Sequence, residues 1–266
     1  YKCFDMIADE EFKNIINKCD LVIAHAGTGT VISSIKRGKV MKRNKLIENL
    51  KDPMIIILAA LLIFLTCGTA ISGCRGKKTV IALDAAFGGE DTGYQGIINE
   101  ADFTESVVEK LAVLLTDDGH FDVVLTHDAS ASATVEDRVN KIKQDGADIV
   151  LSIHATGTPD ATRNGQQIYA DIPTKATHDA SLKLADCIHD AFTSDTWAPT
   201  VNYLYYKPFD DDSYQIETVA SDDTNDYQLE TWDMMEKCDV PVVICNQIYV
   251  TNQTDIDTWA NEAGVL

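Results

Sequence analysis

The chain has 266 residues, 45% of them hydrophobic, and carries a formal net charge of −20. That length is enough for one or two domains with a buried core. The negative charge argues against a nucleic-acid partner, because phosphate contacts need clustered Lys and Arg. The seven cysteines are scattered without a CxxC pair or zinc-finger spacing, so neither a cysteine zinc site nor a disulfide framework is expected.

The first segment, residues 1–40, combines a short apolar strand, a glycine-rich turn and the start of a helix. The turn contains His25, Gly27, Thr28, Gly29 and Thr30. Because amides at a helix N-terminus favour anions, this turn is a candidate phosphate cradle. The segment resembles part of the C-terminal half of GT-B glycosyltransferases of the MurG-like, polysaccharide-biosynthesis group, which implies nucleotide-sugar binding. Forty residues are too few to fold as that enzyme. We therefore expect a fragment of a neighbouring protein joined to a second protein that begins at Met41, and a genuine fusion stays open.

The second segment, residues 41–76, has the pattern of a secretory signal or a membrane anchor. Met41 and a basic stretch precede residues 54–71, which are eighteen apolar or small residues without a charge. A run of that length can span the hydrocarbon core of a bilayer. The sequence that follows resembles a bacterial lipobox, which makes Cys74 a candidate for lipidation; the alternative is an uncleaved anchor followed by a linker. Either interpretation predicts a membrane-attached protein whose remaining residues, 77–266, lie outside the cytoplasm.

Residues 77–266 alternate apolar strands with amphipathic helices. Strands are predicted over 79–83, 122–126, 148–153 and 241–245, and helices over 104–115, 135–144 and 180–192. This alternation predicts a single α/β domain with a largely parallel central sheet flanked by helices. In such sheets functional sites lie beyond the carboxyl ends of the strands, so the residues that follow Leu83, Ile153 and Cys245 are the candidates.

Seven motifs follow one another along this segment. They are Leu83–Gly89, Asn99–Asp102, Val124–Asp128, Arg138, Ser152–Ala155, Gly165–Tyr169 and Val240–Asn246. In these motifs and their order, residues 77–266 resemble the zinc-dependent N-acetylmuramoyl-L-alanine amidase family, which cleaves the amide between N-acetylmuramic acid and L-alanine. The resemblance implies an α/β fold, a zinc cofactor, and peptidoglycan or muropeptides as the partner.

The resemblance also implies a set of site residues. The family holds zinc with His, Glu and His and uses a further Glu as the catalytic base. Zinc polarises the carbonyl and lowers the pKa of its bound water to about 7. The second and third ligand positions fall on Glu100 and His154. Without the resemblance, Glu100 would be interpreted as a carboxylate favoured by a helix N-terminus, and His154 as a hydrogen-bonded histidine at a strand end.

Two of the implied positions carry residues that cannot perform this chemistry. The first ligand falls on Phe87, which has no lone pair for a metal, and the catalytic Glu falls on Asn246, whose amide cannot accept and return a proton near neutral pH. Asp84 is retained and is expected to orient a ligand. We therefore predict an amidase domain whose catalysis is impaired or absent. The alternatives are an active zinc amidase in which His127 or Asp84 replaces the missing ligand, and a nucleotide-sugar function of the N-terminal fragment.

The stretch from Asp210 to Asp226 is acidic, and tyrosines lie within it and in its flanks: Tyr203, Tyr205, Tyr206, Tyr214 and Tyr227. Its composition is compatible with a solvated surface loop, a calcium site or a glycan-stacking surface. No EF-hand spacing is present. We therefore favour the solvated loop.

Overall fold

The computed structural model describes residues 78–128, 131–192, 200–210 and 213–260. The predictions for residues 1–40, for the apolar run 54–71 and for Cys74 lie outside these ranges and stay predictions. Within the described ranges, no helix is both long enough and apolar enough to cross a membrane. The described residues belong to one compact unit.

The strands and helices of the described residues follow the predicted alternation. The strands are β1 (Thr79–Ala85), β2 (Phe121–Leu125), β3 (Ile149–Thr156), β4 (Gln167–Ala170), β5 (Thr200–Pro208), β6 (Tyr214–Ala220), β7 (Leu229–Glu230) and β8 (Val242–Tyr249). The helices are α1 (Glu100–Asp118), α2 (Val135–Gln144), α3 (His178–Phe192), α4 (Asp233–Lys237) and α5 (Gln253–Asp255), and a π-helical turn, Ile256–Ala260, follows α5. Each element predicted from the pattern is present, with ends that differ by at most four residues.

The strands form one mixed sheet in the order β2-β1-β3-β8-β4-β5-β6, with β7 paired to β5. Strands β2, β1, β3 and β8 are parallel to one another, whereas β4 is antiparallel to β8 and β6 is antiparallel to β5. The prediction of a largely parallel sheet is therefore correct for β2, β1, β3 and β8. The rest of the sheet is mixed, because β4 pairs with β5 in parallel while its other pairings are antiparallel. The physical reason is that β6 is largely exposed, which is typical of antiparallel strands, while the strands of the parallel half are mostly buried apolar runs.

Two apolar clusters cover the two faces of the sheet. On one face α1 and α3 pack over the strands, with Phe103, Leu111 and Leu184 fully buried. On the other face α2 and α4 contribute Ile142 and Met235 to a smaller cluster. Burial of side chains of this size stabilises a fold by about 1.5–3 kcal/mol each. The core therefore holds the strand ends in fixed relative positions.

Two helices begin close to the carboxyl ends of the parallel strands. Helix α1 begins at Glu100 and ends at Asp118, and its C-cap Gly119 has a left-handed φ of 80°. Helix α2 begins with a capping box, in which the Thr134 hydroxyl accepts from the Asp137 N–H and the Asp137 carboxylate accepts from the Thr134 N–H. These two starts bring Glu100 and Arg138 to the same edge of the sheet.

Candidate functional site

The carboxyl ends of β1, β3 and β8 lie side by side and bring the predicted site residues together. The register pairs His154 on β3 directly with Asn246 on β8. Phe87 lies two residues beyond the end of β1, and Glu100 is the first residue of α1. Strand order, rather than sequence order, therefore assembles these four residues, as expected where parallel strands end. We call this group, Phe87, Glu100, His154 and Asn246, the strand-end site.

Glu100 and His154 are neighbours in the strand-end site. The Nδ1 atom of His154 lies 3.9 Å from Oε1 of Glu100. The Glu100 carboxylate accepts hydrogen bonds from the backbone N–H groups of Ala155, at 3.0 Å, and Tyr94, at 3.1 Å. Glu100 is buried, and the His154 imidazole is partly exposed. The two ligand positions implied by the resemblance are thus held together by β3, α1 and the loop that precedes α1.

Burial determines the charge of both side chains. Burial raises the pKa of Glu100 to about 7, although the hydrogen bonds from Tyr94 and Ala155 act in the opposite direction. Burial also lowers the pKa of His154 to about 4; the charge of Asp84 acts in the opposite direction, and that of Arg138 lowers the pKa further. Both shifts favour the neutral form, because a charged group loses hydration when it is buried. At neutral pH the imidazole is therefore uncharged, and Glu100 keeps a proton far more readily than an exposed carboxyl group does.

The ring of Phe87 packs into the position that the resemblance assigns to another ligand. Its centroid lies 6.0 Å from that of the His154 ring, and the two planes meet at 78°. Gly93 closes over the same ring: a Cβ at Gly93 would lie 2.8 Å from Cδ2 of Phe87 and 2.9 Å from Oε2 of Glu100. Gly93 also has a φ of +62°, a conformation that side chains rarely adopt. Phe87 is thus packed beside His154 and Glu100.

Trp232 lines the same region and was not found from the sequence. Its ring lies 5.6 Å from the His154 ring and 5.4 Å from the Tyr169 ring, measured between centroids. Trp232 precedes α4 and follows the short strand β7, whose pairing with β5 directs the chain back toward the site. Because this placement depends on a long-range strand pairing, no local sequence pattern indicates it.

Asp84 is the centre of a buried polar network next to the site. Its carboxylate accepts hydrogen bonds from the hydroxyls of Thr126, at 2.6 Å, and Ser152, at 2.5 Å. Nη1 of Arg138 donates to both carboxylate oxygens, at 3.0 and 2.8 Å. A buried charge pair is costly unless it is compensated in this way. Asp84 thus connects β1, β3 and α2, and through Ser152 it helps to position the strand that carries His154.

His127, a candidate substitute ligand, contacts backbone carbonyl groups. Its Nε2 atom lies 2.8 Å from the carbonyl oxygen of Ala85, and its Nδ1 atom lies 3.0 Å from that of Asp128. Both ring nitrogens therefore face carbonyl oxygens. These contacts do not favour His127 as a substitute metal ligand.

The donor set does not fit a catalytic zinc centre. Such a centre needs three protein ligands and one open position. The strand-end site supplies two suitable donors, Glu100 and His154. The position implied for the remaining ligand is occupied by the phenyl ring of Phe87. In the part of the chain that the structure describes, no group of three or more His, Cys, Asp or Glu side chains could hold a metal ion, so neither His127 nor Asp84 completes the set.

The fold is shared with peptidoglycan amidases of known structure. The N-acetylmuramoyl-L-alanine amidase AmiC2 of Nostoc punctiforme matches with a TM-score of 0.52 and 18% identity, over 71% of this chain and 93% of that one. The catalytic domain of CwlV, an N-acetylmuramoyl-L-alanine amidase from Bacillus (Paenibacillus) polymyxa, matches with a TM-score of 0.50 and 19% identity, over 70% and 93%. At these identities the likeness establishes the class of fold: an α/β amidase domain with a mixed sheet.

The family follows from the sequence match. Residues 81–265 match the family model Amidase_3, N-acetylmuramoyl-L-alanine amidase. The chain therefore belongs to the N-acetylmuramoyl-L-alanine amidase family, which confirms the resemblance drawn from its motifs. The resemblance of residues 1–40 to glycosyltransferases stays a prediction.

Curated relatives match a shorter stretch. N-acetylmuramoyl-L-alanine amidase AmiC of Escherichia coli O6:H1 and the endolysin of Bacillus phage SPP1 are each 30% identical over 113 residues, 42% of this chain. The matched stretch covers 27% of the first relative and 41% of the second. The chain thus matches less than half of the length of either protein.

Proposed function

We propose that this member of the amidase family binds peptidoglycan at the strand-end site but hydrolyses its amide bond slowly or not at all. The observation that carries the proposal is Phe87, whose ring stands against His154 where the family resemblance implies a zinc ligand. Asn246 adds to it, because this buried amide lies beside His154 where the resemblance implies the catalytic Glu.

Hydrolysis of an amide needs a strong nucleophile and a group that moves its proton. Asn246 can donate and accept hydrogen bonds, but it cannot take a proton from water near neutral pH. Loss of a general base alone typically costs about 10²–10⁴-fold in rate. The side chain of Phe87 also offers no donor atom for a metal. Asn246 therefore affects the movement of the proton, and Phe87 affects the binding of the metal that would activate the nucleophile.

The features that remain suit binding. Glu100 and His154 provide a carboxyl group and an imidazole 3.9 Å apart, and Phe87 and Trp232 place aromatic rings next to that imidazole. A few convergent polar groups among apolar rings are typical of a ligand site. The peptide stem of a muropeptide, with its amides and the methyl group of alanine, matches this combination.

We further propose that the domain works outside the cytoplasmic membrane. The support is the sequence pattern of Met41, a basic stretch, the apolar run 54–71 and the lipobox-like Cys74. Cell fractionation of the full chain tests this location, with Cys74→Ala as the variant. We expect membrane association in the wild type and incorporation of labelled lipid that is lost in the variant. Recovery of the wild type in the cytoplasmic fraction would contradict the location.

Binding and cleavage of a purified disaccharide-peptide muropeptide by the full chain test the proposed function. We expect titration calorimetry to detect binding, and chromatography to recover the muropeptide intact after incubation with added Zn²⁺. Trp232→Ala should weaken binding, because Trp232 contacts His154, whereas Phe209→Ala, an exposed ring of the β5–β6 hairpin, should not. Cleavage at a rate comparable with an active amidase would refute the loss of catalysis, and absence of binding would refute the binding role.

A further inference from the structure

Strands β5 and β6 form a two-stranded ribbon at one edge of the sheet. They pair from Asn202 opposite Ala220 to Pro208 opposite Tyr214, and β6 ends the strand order. The stretch from Asp210 to Asp226, for which a solvated loop was expected, therefore contains an ordered strand, and that expectation is wrong. Apolar and polar residues alternate from Tyr214 to Glu217 and most of β6 is exposed, so it lacks the apolar run of a buried strand.

One face of the ribbon carries exposed aromatic and aliphatic side chains. The register pairs Tyr206 with Ile216 and Leu204 with Thr218, so these residues share a face with Tyr214. The rings of Tyr206 and Tyr214 are 4.7 Å apart between centroids and perpendicular, at 86°. Tyr214 is 61% exposed and Ile216 is 40% exposed. We call this face the tyrosine face.

The tyrosine face is continuous with the strand-end site. Thr218 contacts the hydroxyl of Tyr169, with 3.1 Å between the two oxygens. The Tyr169 ring packs on Trp232, and Trp232 packs on His154. These contacts form a connected path from the site to the ribbon.

The geometry of the sheet gives a lower limit for the length of this path. Register links place the start of β5 level with His154, through Asn246 and Gln167. Tyr206 lies six residues further along β5 than Thr200, which corresponds to about 20 Å along the strand. A ligand that contacts both regions must therefore be an extended chain of several units, not a single small molecule.

We propose that the tyrosine face binds the glycan strand of peptidoglycan and leads it to the strand-end site. Tyrosine rings offer a flat apolar face and a polar hydroxyl, which match the C–H face and the hydroxyl rim of a pyranose. The chain carries a net charge of −20, which disfavours a polyanion, whereas the N-acetylglucosamine units of the glycan are uncharged. This proposal rests on the proposed function in one respect only, the identity of the polymer.

Titration of the full chain with the hexamer of N-acetylglucosamine tests the proposal. We expect Tyr214→Ala to weaken binding of the hexamer about tenfold, since stacking removes apolar surface from water. Phe209→Ala is the matched control: Phe209 is a ring 46% exposed next to the same hairpin turn, and it lies beyond the last paired residue of β5. The affinity of the Phe209→Ala variant for the hexamer should equal that of the wild type.

Three results would overturn the assignment. The first is that the wild type does not bind the hexamer, and the second is that Tyr214→Ala binds it with the affinity of the wild type. The third is that the wild type sediments as a dimer that Tyr214→Ala dissociates, which would assign the face to a second copy of this chain. The disaccharide-peptide muropeptide separates this proposal from the proposed function, because it is too short to reach both regions. Its binding should not change in Tyr214→Ala; if the wild type binds the hexamer but not the muropeptide, the proposed function fails and the glycan face stands.

Discussion

The ring of Phe87 meets the imidazole of His154 nearly edge to face, with 6.0 Å between the ring centroids. Gly93 closes over Phe87 and Glu100 so tightly that a side chain there would clash with both. An apolar ring thus forms part of the packing at a position where the family relationship implies a metal donor. The consequences for stability, charge and chemistry are each open to measurement.

Removal of the Asp84 carboxylate should destabilise the fold strongly. Asp84→Asn leaves the buried Arg138 guanidinium without a counter-charge, and we expect the free energy of unfolding to fall by about 3–5 kcal/mol. Denaturant unfolding measures this change. Asp239→Asn is the matched control, because it breaks the exposed pair with Lys143 and should cost less than about 1 kcal/mol. Equal effects of the two variants would contradict the buried network.

Glu100→Gln should change how stability depends on pH. The pKa of Glu100 is about 7 in the folded protein and 4.5 by reference, so the folded state binds more protons between these values. The contribution of Glu100 is therefore fully present below pH 4.5 and is lost as the pH rises through 7. Over that window, stability of the wild type relative to Glu100→Gln should fall, by up to about 3 kcal/mol. Denaturant unfolding in metal-free buffer from pH 4 to 8 measures the difference, and a pH-independent difference would contradict the burial of this carboxyl.

His154→Gln should show the opposite dependence on pH. The pKa of His154 is about 4 when folded and 6.5 by reference, so the unfolded chain binds more protons between these values. The contribution of neutral His154 is therefore present above pH 6.5 and is lost as the pH falls through 4. Stability of the wild type relative to this variant should fall on acidification, again by up to about 3 kcal/mol. If both variants gave differences of the same sign, the assigned charge states would be incorrect.

Restoration of the family residues should restore hydrolysis only when both are present. Phe87→His supplies a donor without a base, and Asn246→Glu supplies a base without the missing donor. We therefore expect muropeptide cleavage to be undetectable or slow in each single variant and to rise by at least about 10²-fold in the double variant. Chromatography of the released peptide measures the rate. An equal rate in the wild type and the double variant would show that these two positions do not limit catalysis.

The parallel half of the sheet and its site were predictable because their signals are local. The apolar runs before Asp84, His154 and Asn246 identify three strands, and parallel strands place their carboxyl ends together. The ribbon was not predictable in the same way. Residues such as Tyr206 and Tyr214 lie in polar, aromatic stretches, and their strand state depends on pairing across the sheet. Trp232 reaches the site after β7 pairs with β5, so its position has no local signal. The sequence indicates tyrosines near an acidic stretch, but the face they share follows only from the strand pairing.

The zinc content of the full chain, compared with that of Phe87→His, shows whether Phe87 leaves the metal site incomplete. After equilibration with Zn²⁺ and removal of free metal, elemental analysis gives the number of ions bound per chain. Two suitable donors hold zinc weakly and three hold it firmly. We expect the wild type to retain far less than one zinc ion per chain and Phe87→His to retain about one. One tightly bound zinc ion in the wild type, removed by Glu100→Gln or His154→Gln, would contradict the claim that Phe87 leaves the metal site incomplete.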